Sequence, residues 1–273
     1  MFVANNFVYL QMQKTGCSHI SSLMSKICEG KSLSKHSVVR PSDAKSDKKI
    51  ISSIRNPWSW YVSLWTYGVQ GDGHVFHNLT KPRYAFACKL LLQDPVRNYA
   101  SLVHAAQRHA RVDDWRAVYT VDSDIAAFRK WMKMISEPGN AYNIDEGYGN
   151  SSIAKSVGFM TYRYLYLTCP DFKKDNKAGI DADYSLLEKF DSENCSVDYF
   201  IRQENLEDDF CQAMGSFIPL EKSDTDMIYG AKKVNTSKRK FPMADYYDQE
   251  TIDLVSARDK LIIEKFGYQP PVV

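Results

Sequence analysis

The first quarter of the chain repeats one pattern: a short apolar run, then a polar loop, then an amphipathic segment. Residues 7–12 predict a buried strand, and residues 19–28 carry apolar side chains at helical spacing. A second apolar run at 50–54 ends at Arg55, and a second helical pattern follows it, with Ser59 as the expected helix cap. Successive strand–loop–helix units favour a parallel α/β sheet.

The rest of the chain is mostly helical in pattern. Helices are predicted at 83–93, 96–110, 123–135, 153–169, 204–214 and 248–266, a strand at 197–202, and loops at 68–82, 138–150, 171–183 and 222–242. The sequence has no internal repeat, no low-complexity tract and no linker that would divide two domains. We therefore expect a single domain over residues 1–273, with a central, mainly parallel sheet and helices on both faces.

Charge and composition restrict the function classes open to this chain. Its 35 Lys and Arg residues nearly balance its 33 Asp and Glu residues, and a net charge of +2 argues against a general nucleic-acid binder. Any anion site must therefore be local. Hydrophobic residues make up 44% and charged residues 25%, as in globular proteins, and no apolar run approaches the ~20 residues of a membrane span.

The cysteines bear on metal binding and on the compartment. The six cysteines form no C-x-x-C pair, and their spacing suits neither a zinc site nor a small disulfide framework. Residues 1–6 lack the basic and apolar regions of a signal peptide. We therefore expect a cytoplasmic protein with reduced thiols and no metal.

The first polar loop, between the predicted strand and helix, groups six residues suited to an anion. They are Lys14, Thr15, Gly16, Cys17, Ser18 and His19. At this position the backbone N–H groups and the positive end of the helix dipole point at one spot, and Gly16 lets the backbone approach a phosphate. Thr15 and Ser18 add hydroxyl donors, and Lys14 adds a full positive charge. The pattern is not a Walker A loop, and a capped turn with a solvated lysine is the alternative interpretation.

A second candidate anion site follows the second predicted strand. Arg55 opens the run Arg55-Asn56-Pro57 at the carboxyl end of that strand, and Ser63 lies about two turns into the next helix. A guanidinium fork together with a hydroxyl suits a dianionic phosphate monoester. A surface arginine beside an ordinary capping turn is the alternative interpretation.

Together, the two motifs resemble the nucleotide-binding motifs of the sulfotransferases that use 3′-phosphoadenosine 5′-phosphosulfate (PAPS). The resemblance extends over most of residues 7–268 and is weakest at 68–150, while runs at 200–206, 234–237 and 246–247 are similar to the carbohydrate-type branch. It implies a P-loop-like sulfotransferase fold. It also implies transfer of the sulfuryl group of PAPS to a hydroxyl acceptor, in the first place a glycan, with release of the 3′,5′-bisphosphate PAP. The family needs no metal.

The resemblance also assigns roles to residues of the nucleotide site. In the family, the first loop grips the 5′-phosphosulfate, and the arginine–serine pair, here Arg55 and Ser63, grips the 3′-phosphate. The family closes a late basic loop over the same phosphate, which makes Asn235, Ser237 and Lys238 further candidate contacts.

Sulfuryl transfer is an in-line displacement at sulfur, which depends on positioning and charge stabilisation. Lys14 is the candidate to stabilise charge on the leaving 5′-phosphate oxygen. His36 lies between the two motifs, where this branch tends to carry its base, and a pKa near ~6.5 suits proton abstraction at neutral pH. An exposed histidine in a basic loop is the alternative interpretation, and Glu29 is the second candidate base. His74 and His77 lie in a predicted loop that would face the acceptor.

Two departures from the family and two rival functions stay open. Cys17 and His19 stand where the family often has other residue types, and His19 either stacks on the adenine or caps the helix. A nucleotide kinase would need a Walker A loop and magnesium-binding carboxylates, which the sequence lacks. A non-catalytic module that binds PAP or a glycan would keep the fold, and the presence of both Lys14 and His36 argues against it.

Overall fold

A computed structural model of the protein describes residues 1–39, 41–44, 46–81, 88–89, 92–95, 103, 109–144, 147–172, 183–232 and 240–273. The chain forms two compact units. The first comprises Met1–Trp60, Met160–Lys238 and Leu261–Gln269, and the second comprises Tyr61–Phe159, Arg239–Lys260 and Pro270–Val273. The expectation of a single domain over residues 1–273 stays a prediction.

Strands and helices are numbered here in chain order over the described residues. The strands are β1 (Phe2–Ala4), β2 (Phe7–Leu10), β3 (Gly30–Ser32), β4 (Lys49–Ile54) and β5 (Tyr199–Arg202). The helices are α1 (Cys17–Ile27), α2 (Pro41–Ala44), α3 (Pro57–Val69), α4 (His74–Thr80), α5 (Val112–Arg116), α6 (Ile125–Ser136), α7 (Ala141–Ile144), α8 (Phe159–Thr168), α9 (Tyr184–Asn194), α10 (Leu206–Gly215), α11 (Lys222–Gly230), α12 (Met243–Tyr246), α13 (Gln249–Arg258) and α14 (Lys260–Phe266). Short 3₁₀ helices lie at Pro138–Asn140, Tyr148–Asn150, Ser152–Lys155 and Gln203–Asn205.

The strands form one mixed sheet within the first unit, in the order β3-β1-β2-β4-β5. Strands β2, β4 and β5 run parallel, with Ser52 opposite Phe200. Strand β1 is antiparallel to both β2 and β3. The α/β class is confirmed, but the expectation of a mainly parallel sheet is wrong: over the described residues the sheet is mixed, with two parallel and two antiparallel strand pairings. The sequence gives no signal for β1, because a three-residue run joined to β2 through Asn5-Asn6 is too short to show a strand pattern.

Helices cover both faces of this sheet, as the sequence predicts. On one face, apolar residues of α1, α10 and α11 form a core with the strands; this core includes Phe7, Tyr9, Ile20, Leu23, Met24, Ile51, Ile201, Leu206, Phe210, Met214 and Ile228. On the other face, the Phe200 ring contacts Tyr164 of α8 and Phe266 of α14, with centroids 5.9 and 4.9 Å apart. Neighbouring residues of a strand point to opposite faces, so Ile201 packs against the helices on one face and Phe200 against those on the other.

The two helices that follow parallel strands begin in different ways. Gly16, in a left-handed conformation, precedes α1, which starts two residues before the predicted position. Helix α3 begins at Pro57, and the Asn56 side chain accepts a hydrogen bond from the Ser59 N–H at 3.2 Å. The expectation that Ser59 caps this helix is therefore wrong: Asn56 is the cap, and proline suits the first helical position because its missing N–H is not needed there.

Three predicted loops contain helices instead, and the one at 138–150 contains α7 and two short 3₁₀ helices. Helix α4 lies within 68–82, where it buries Val75 and Leu79. Helix α11 lies within 222–242 and starts with a capping box formed by Glu221 and Asp224. Helices α4 and α11 are short and carry polar residues, so their periodicity is too weak to predict them; for α11 the capping box was the better signal.

The closing helix predicted at 248–266 is broken into α13 and α14 at Asp259. The Asp259 carboxylate is fully buried and accepts a hydrogen bond from the Tyr61 hydroxyl at 2.7 Å. The Gly158 N–H donates to the Arg258 carbonyl at 2.7 Å, and a Cβ on Gly158 would lie 2.4 Å from the Asp259 carboxylate. These tertiary contacts fix the break, and no local sequence signal marks it.

Some sequence predictions lie largely or wholly outside the described residues. They are the helices at 83–93 and 96–110, most of the loop at 171–183, and the candidate nucleotide contacts Asn235, Ser237 and Lys238. None of the described helices has the length and apolar character needed to cross a bilayer.

Candidate functional site

The carboxyl ends of β2 and β4 lie side by side, because the two strands are parallel neighbours. The loop after β2 carries Lys14, and β4 leads directly into Arg55. The Arg55 guanidinium donates through Nη1 to the Lys14 carbonyl at 3.0 Å, which ties the two loops together. The fold therefore joins the two motifs that the sequence predicted separately, at the sheet edge where α/β proteins bind ligands.

The loop after β2 is held from inside by hydroxyl groups. Thr15 is fully buried, and its Oγ1 lies 2.8 Å from the Met12 carbonyl and 2.6 Å from Ser53 Oγ. Ser53 Oγ also lies 2.7 Å from the Tyr9 hydroxyl. The Thr15 hydroxyl thus holds the loop through internal hydrogen bonds and does not face an anion, contrary to the sequence prediction.

Two residues of this loop have positive φ angles. Lys14 has φ 62° and Gly16 has φ 80°. A side chain on Gly16 would also meet Leu206, since its Cβ would lie 2.9 Å from Leu206 Cδ1. Only glycine suits position 16, because the left-handed backbone is unfavourable for other residues and because a side chain there would clash with α10.

The start of α1 is electropositive. Gly16 supplies no side chain to cap the helix, and the first turn contains no acidic residue. The Lys35 ammonium lies 3.4 Å from Ser18 Oγ in this first turn. Burial raises the pKa of the Cys17 thiol, although the charge of Lys35, hydrogen bonds from Ser18 and the charge of Lys14 act in the opposite direction. Helix dipole and lysines therefore favour an anion here, while Cys17 stays a neutral thiol.

Arg55 is buried, with only 7% of its surface exposed. Besides the Lys14 carbonyl, it contacts Ser59, whose Oγ accepts a hydrogen bond from Nε at 2.8 Å. Two of the five guanidinium N–H donors thus hold the protein together. Ser63 is also buried, but it belongs to the second unit, so its predicted pairing with Arg55 stays a prediction.

His36 lies near the same loop, in a left-handed conformation with φ 58°. Its Nδ1 is 2.7 Å from the Gln11 carbonyl, which can only accept, so Nδ1 carries the proton and Nε2 keeps a lone pair. Burial lowers the pKa of His36 to about 4; the bond to Gln11 opposes this shift, and the positive charges of Arg163, the N-terminus and Lys35 add to it. The expected pKa near ~6.5 is therefore wrong. The imidazole is neutral at pH 7, with Nε2 able to accept a proton.

Glu204 brings the end of β5 to the same edge of the sheet. Its Oε1 accepts a hydrogen bond from the Asn56 N–H at 2.8 Å, and the Asn56 side chain donates to the Gln269 carbonyl at 3.2 Å. Residues that follow β2, β4 and β5 thus lie together, and Leu206 at the start of α10 contacts the loop at Gly16.

The remaining candidates lie elsewhere or are buried. His19 is only 3% exposed, so it packs inside the first unit, and the stacking role stays a prediction. Glu29 is exposed just before β3. His74 and His77 lie in α4 of the second unit, in a helix and not in the predicted loop. Among the described residues, no group of three or more His, Cys, Asp or Glu side chains could hold a metal ion.

Four contributors to the site were not predicted from the sequence: Gln11, Lys35, Ser53 and Ser59. A signal existed for two of them. Ser53 is a polar residue inside an apolar strand, and Lys35 directly precedes the candidate base. Gln11 acts through its backbone carbonyl, which no side-chain pattern reveals.

We compared the chain with protein-family models, curated proteins and solved structures. No family model, no curated protein and no solved structure matches it.

Proposed function

We propose that this protein is a sulfotransferase that moves the sulfuryl group of PAPS to a hydroxyl acceptor, in the first place a glycan, and releases PAP. The observation that carries the proposal is the junction of the two motifs: Arg55 donates to the Lys14 carbonyl at the carboxyl ends of two parallel strands. The P-loop-like sulfotransferase fold belongs to the same proposal.

The 5′-phosphosulfate would bind at the start of α1. The uncapped helix terminus, the Lys14 charge and Lys35 beside Ser18 support this assignment, because all of them attract an anion. Lys14 neutralises the charge that develops on the leaving 5′-phosphate oxygen, and backbone N–H groups at the helix start bind the sulfonate oxygens. Lys35 is an additional contact that the resemblance did not suggest.

Arg55 would bind the 3′-phosphate, as the resemblance implies. Its position is fixed by Ser59 and by the Lys14 carbonyl, so little side-chain entropy is lost when an anion binds. The same bonds give Arg55 a second role, because they hold the first loop in place. Loss of Arg55 therefore affects both phosphate sites of the nucleotide.

His36 would act as the general base. Its Nδ1–H is anchored on the Gln11 carbonyl, which orients Nε2 as the acceptor of the proton from the attacking hydroxyl. As that proton moves to Nε2, the hydroxyl oxygen bonds to sulfur and the bridging oxygen leaves on PAP. With a pKa of about 4 the base is always neutral near pH 7, but its driving force for proton transfer is smaller than that of an ordinary histidine.

The experiment is incubation of the protein with ³⁵S-labelled PAPS and a panel of glycans, phenols and lipid alcohols. Wild type should transfer label to one class of hydroxyl. His36→Gln should lower the rate about 10²–10⁴-fold, the usual contribution of a positioned base, with PAP affinity unchanged. His109→Gln, a substitution in an exposed segment of the second unit, is the matched control and should keep the wild-type rate.

Two outcomes would contradict the proposal. Tight PAP binding without transfer to any acceptor would favour the non-catalytic module. Transfer of phosphate from ATP, with no response to PAPS, would favour the kinase.

A further inference from the structure

Two cysteines outside the candidate site lie next to each other in the first unit. Cys169 follows the last residue of α8, and Cys195 follows the last residue of α9. The N–H of Ser196 donates to the carbonyl of Thr168 at 3.0 Å, so the peptide bonds that flank the two cysteines are directly hydrogen-bonded. Each cysteine N–H also donates, at 2.9 Å, to the carbonyl four residues earlier in its own helix. Both backbones are thus fixed at a short separation.

The two thiols lie close together and differ in their surroundings. Both are free, and the hydrogen bond between Ser196 and Thr168 brings the two chain segments together. The Tyr164 hydroxyl lies 3.4 Å from Cys195 Sγ, and the Lys265 ammonium donates to that hydroxyl at 2.7 Å. Asp191 accepts from both Lys265, at 2.6 Å, and Tyr164, at 2.8 Å. The Lys265 charge balances that of Asp191, and the single proton of the Tyr164 hydroxyl is shared between Asp191, the nearer acceptor, and Cys195.

This arrangement divides the roles of the two sulfurs. The neighbouring Cys169 side chain lowers the pKa of Cys195, and the Tyr164 hydroxyl and the Lys265 charge also lower it, whereas burial raises it. The neighbouring Cys195 side chain and burial both raise the pKa of Cys169. Cys195 is partly exposed whereas Cys169 is only 1% exposed. The thiolate is therefore the sulfur that an oxidant can reach, and the neutral thiol lies behind it.

We infer that Cys169 and Cys195 form a redox-active dithiol, which hydrogen peroxide oxidises to a disulfide between the ends of α8 and α9. The Cys195 thiolate attacks the peroxide, and the O–O bond breaks to give a sulfenic acid and, after protonation, one water. The Cys169 sulfur then attacks the sulfenic sulfur, and a second water leaves as the S–S bond forms. The two thiols lose two electrons and two protons in total, and the peroxide is reduced to two waters.

The test treats the full chain with hydrogen peroxide and maps cysteines by mass spectrometry after digestion without reductant. We expect one crosslink between the peptides of Cys169 and Cys195, reversed by dithiothreitol. In Cys169→Ser, Cys195 should stop at the sulfenic or sulfinic acid. Before oxidation, limiting iodoacetamide at pH 7 should label Cys195 at least ~10-fold faster than Cys28, a partly exposed thiol whose pKa is raised by burial.

The decisive measurements use wild-type protein, so the inference can be refuted even if the Cys169→Ser variant fails to fold. Over-oxidation of Cys195 without the crosslink in wild type would show that the two sulfurs do not reach each other. Labelling of Cys195 no faster than Cys28 would show that the cluster does not activate it. A crosslink that joins Cys195 to a different cysteine would also refute the pairing.

Discussion

Substitution of Gly16 by alanine tests the loop geometry on which the candidate site depends. Two effects add at this position. A left-handed backbone costs an L-residue about 1–2 kcal/mol. The new Cβ would lie 2.9 Å from Cδ1 of the buried Leu206 side chain, where overpacking costs about 1–3 kcal/mol. Gly16→Ala should therefore lower the free energy of unfolding by about 2–5 kcal/mol.

Gly71 is the matched control for the steric part. It has almost the same φ, 82° against 80°, but a Cβ there would meet no atom within 4 Å. Gly71→Ala should cost only the conformational part, about 1–2 kcal/mol. Replacing glycine by alanine also lowers the conformational entropy of the unfolded chain, but this effect is the same in both variants and cancels when their unfolding free energies are compared. The difference of about 1–3 kcal/mol then measures the contact with Leu206.

Urea unfolding of the two variants and of wild type gives the required free energies. A second check is Leu206→Ala in the Gly16→Ala background, where the removed side chain relieves the clash and the two changes should be less than additive. Equal destabilisation by Gly16→Ala and Gly71→Ala would refute the packing argument. PAP binding that survives Gly16→Ala would show that the loop backbone does not approach the phosphate.

Three further predictions concern hydrogen bonds and ionisation. Ser53→Ala should destabilise the fold by about 1–3 kcal/mol in urea unfolding, because it leaves two buried hydroxyls, of Tyr9 and Thr15, without their shared partner; no loss would refute the internal network. Burial alone would raise the pKa of Asp209, but hydrogen bonds led by those from Arg202 outweigh it and hold the pKa below its ordinary 3.8. The stability difference between wild type and Asp209→Asn should thus be complete above pH 3.8 and disappear as pH falls through the lower native pKa; a pH-independent difference would contradict it. With the pKa of His36 lowered to about 4, kcat/KM should rise with pH through about 4 and be flat at neutrality, and a limb near 6.5 would contradict this environment.

The parallel centre of the sheet could be predicted from the sequence because its strands are mostly apolar or alternating runs followed by helices. The run at 50–54 matches β4 to within one residue, and the run at 197–202 contains β5. The short strands at the other edge could not be predicted, since Phe2–Ala4 and Gly30–Ser32 form by pairing with neighbours and have no pattern of their own. Strand pairing is a tertiary property, and three residues do not encode it.

The candidate site shows the same division. Lys14 and Arg55 were identifiable, because charge beside a strand end is visible in the sequence. Their direct connection through the Lys14 carbonyl was not, because backbone acceptors leave no trace in side-chain patterns. The low pKa of His36 depends mainly on burial, which a polar, basic segment does not suggest. The residue types thus identified candidate site residues, and only the fold showed which groups they contact.

If the proposal is right, the joined loops of Lys14 and Arg55 bind a nucleotide that carries both a 5′- and a 3′-phosphate. Isothermal titration of the wild-type protein with PAP, and with ADP at equal concentration, tests it most directly. PAP should bind at least ~10-fold more tightly than ADP, a difference of about 1.4 kcal/mol that the 3′-phosphate contributes at Arg55. Equal affinity for the two nucleotides, or no heat of binding with PAP, would contradict the claim.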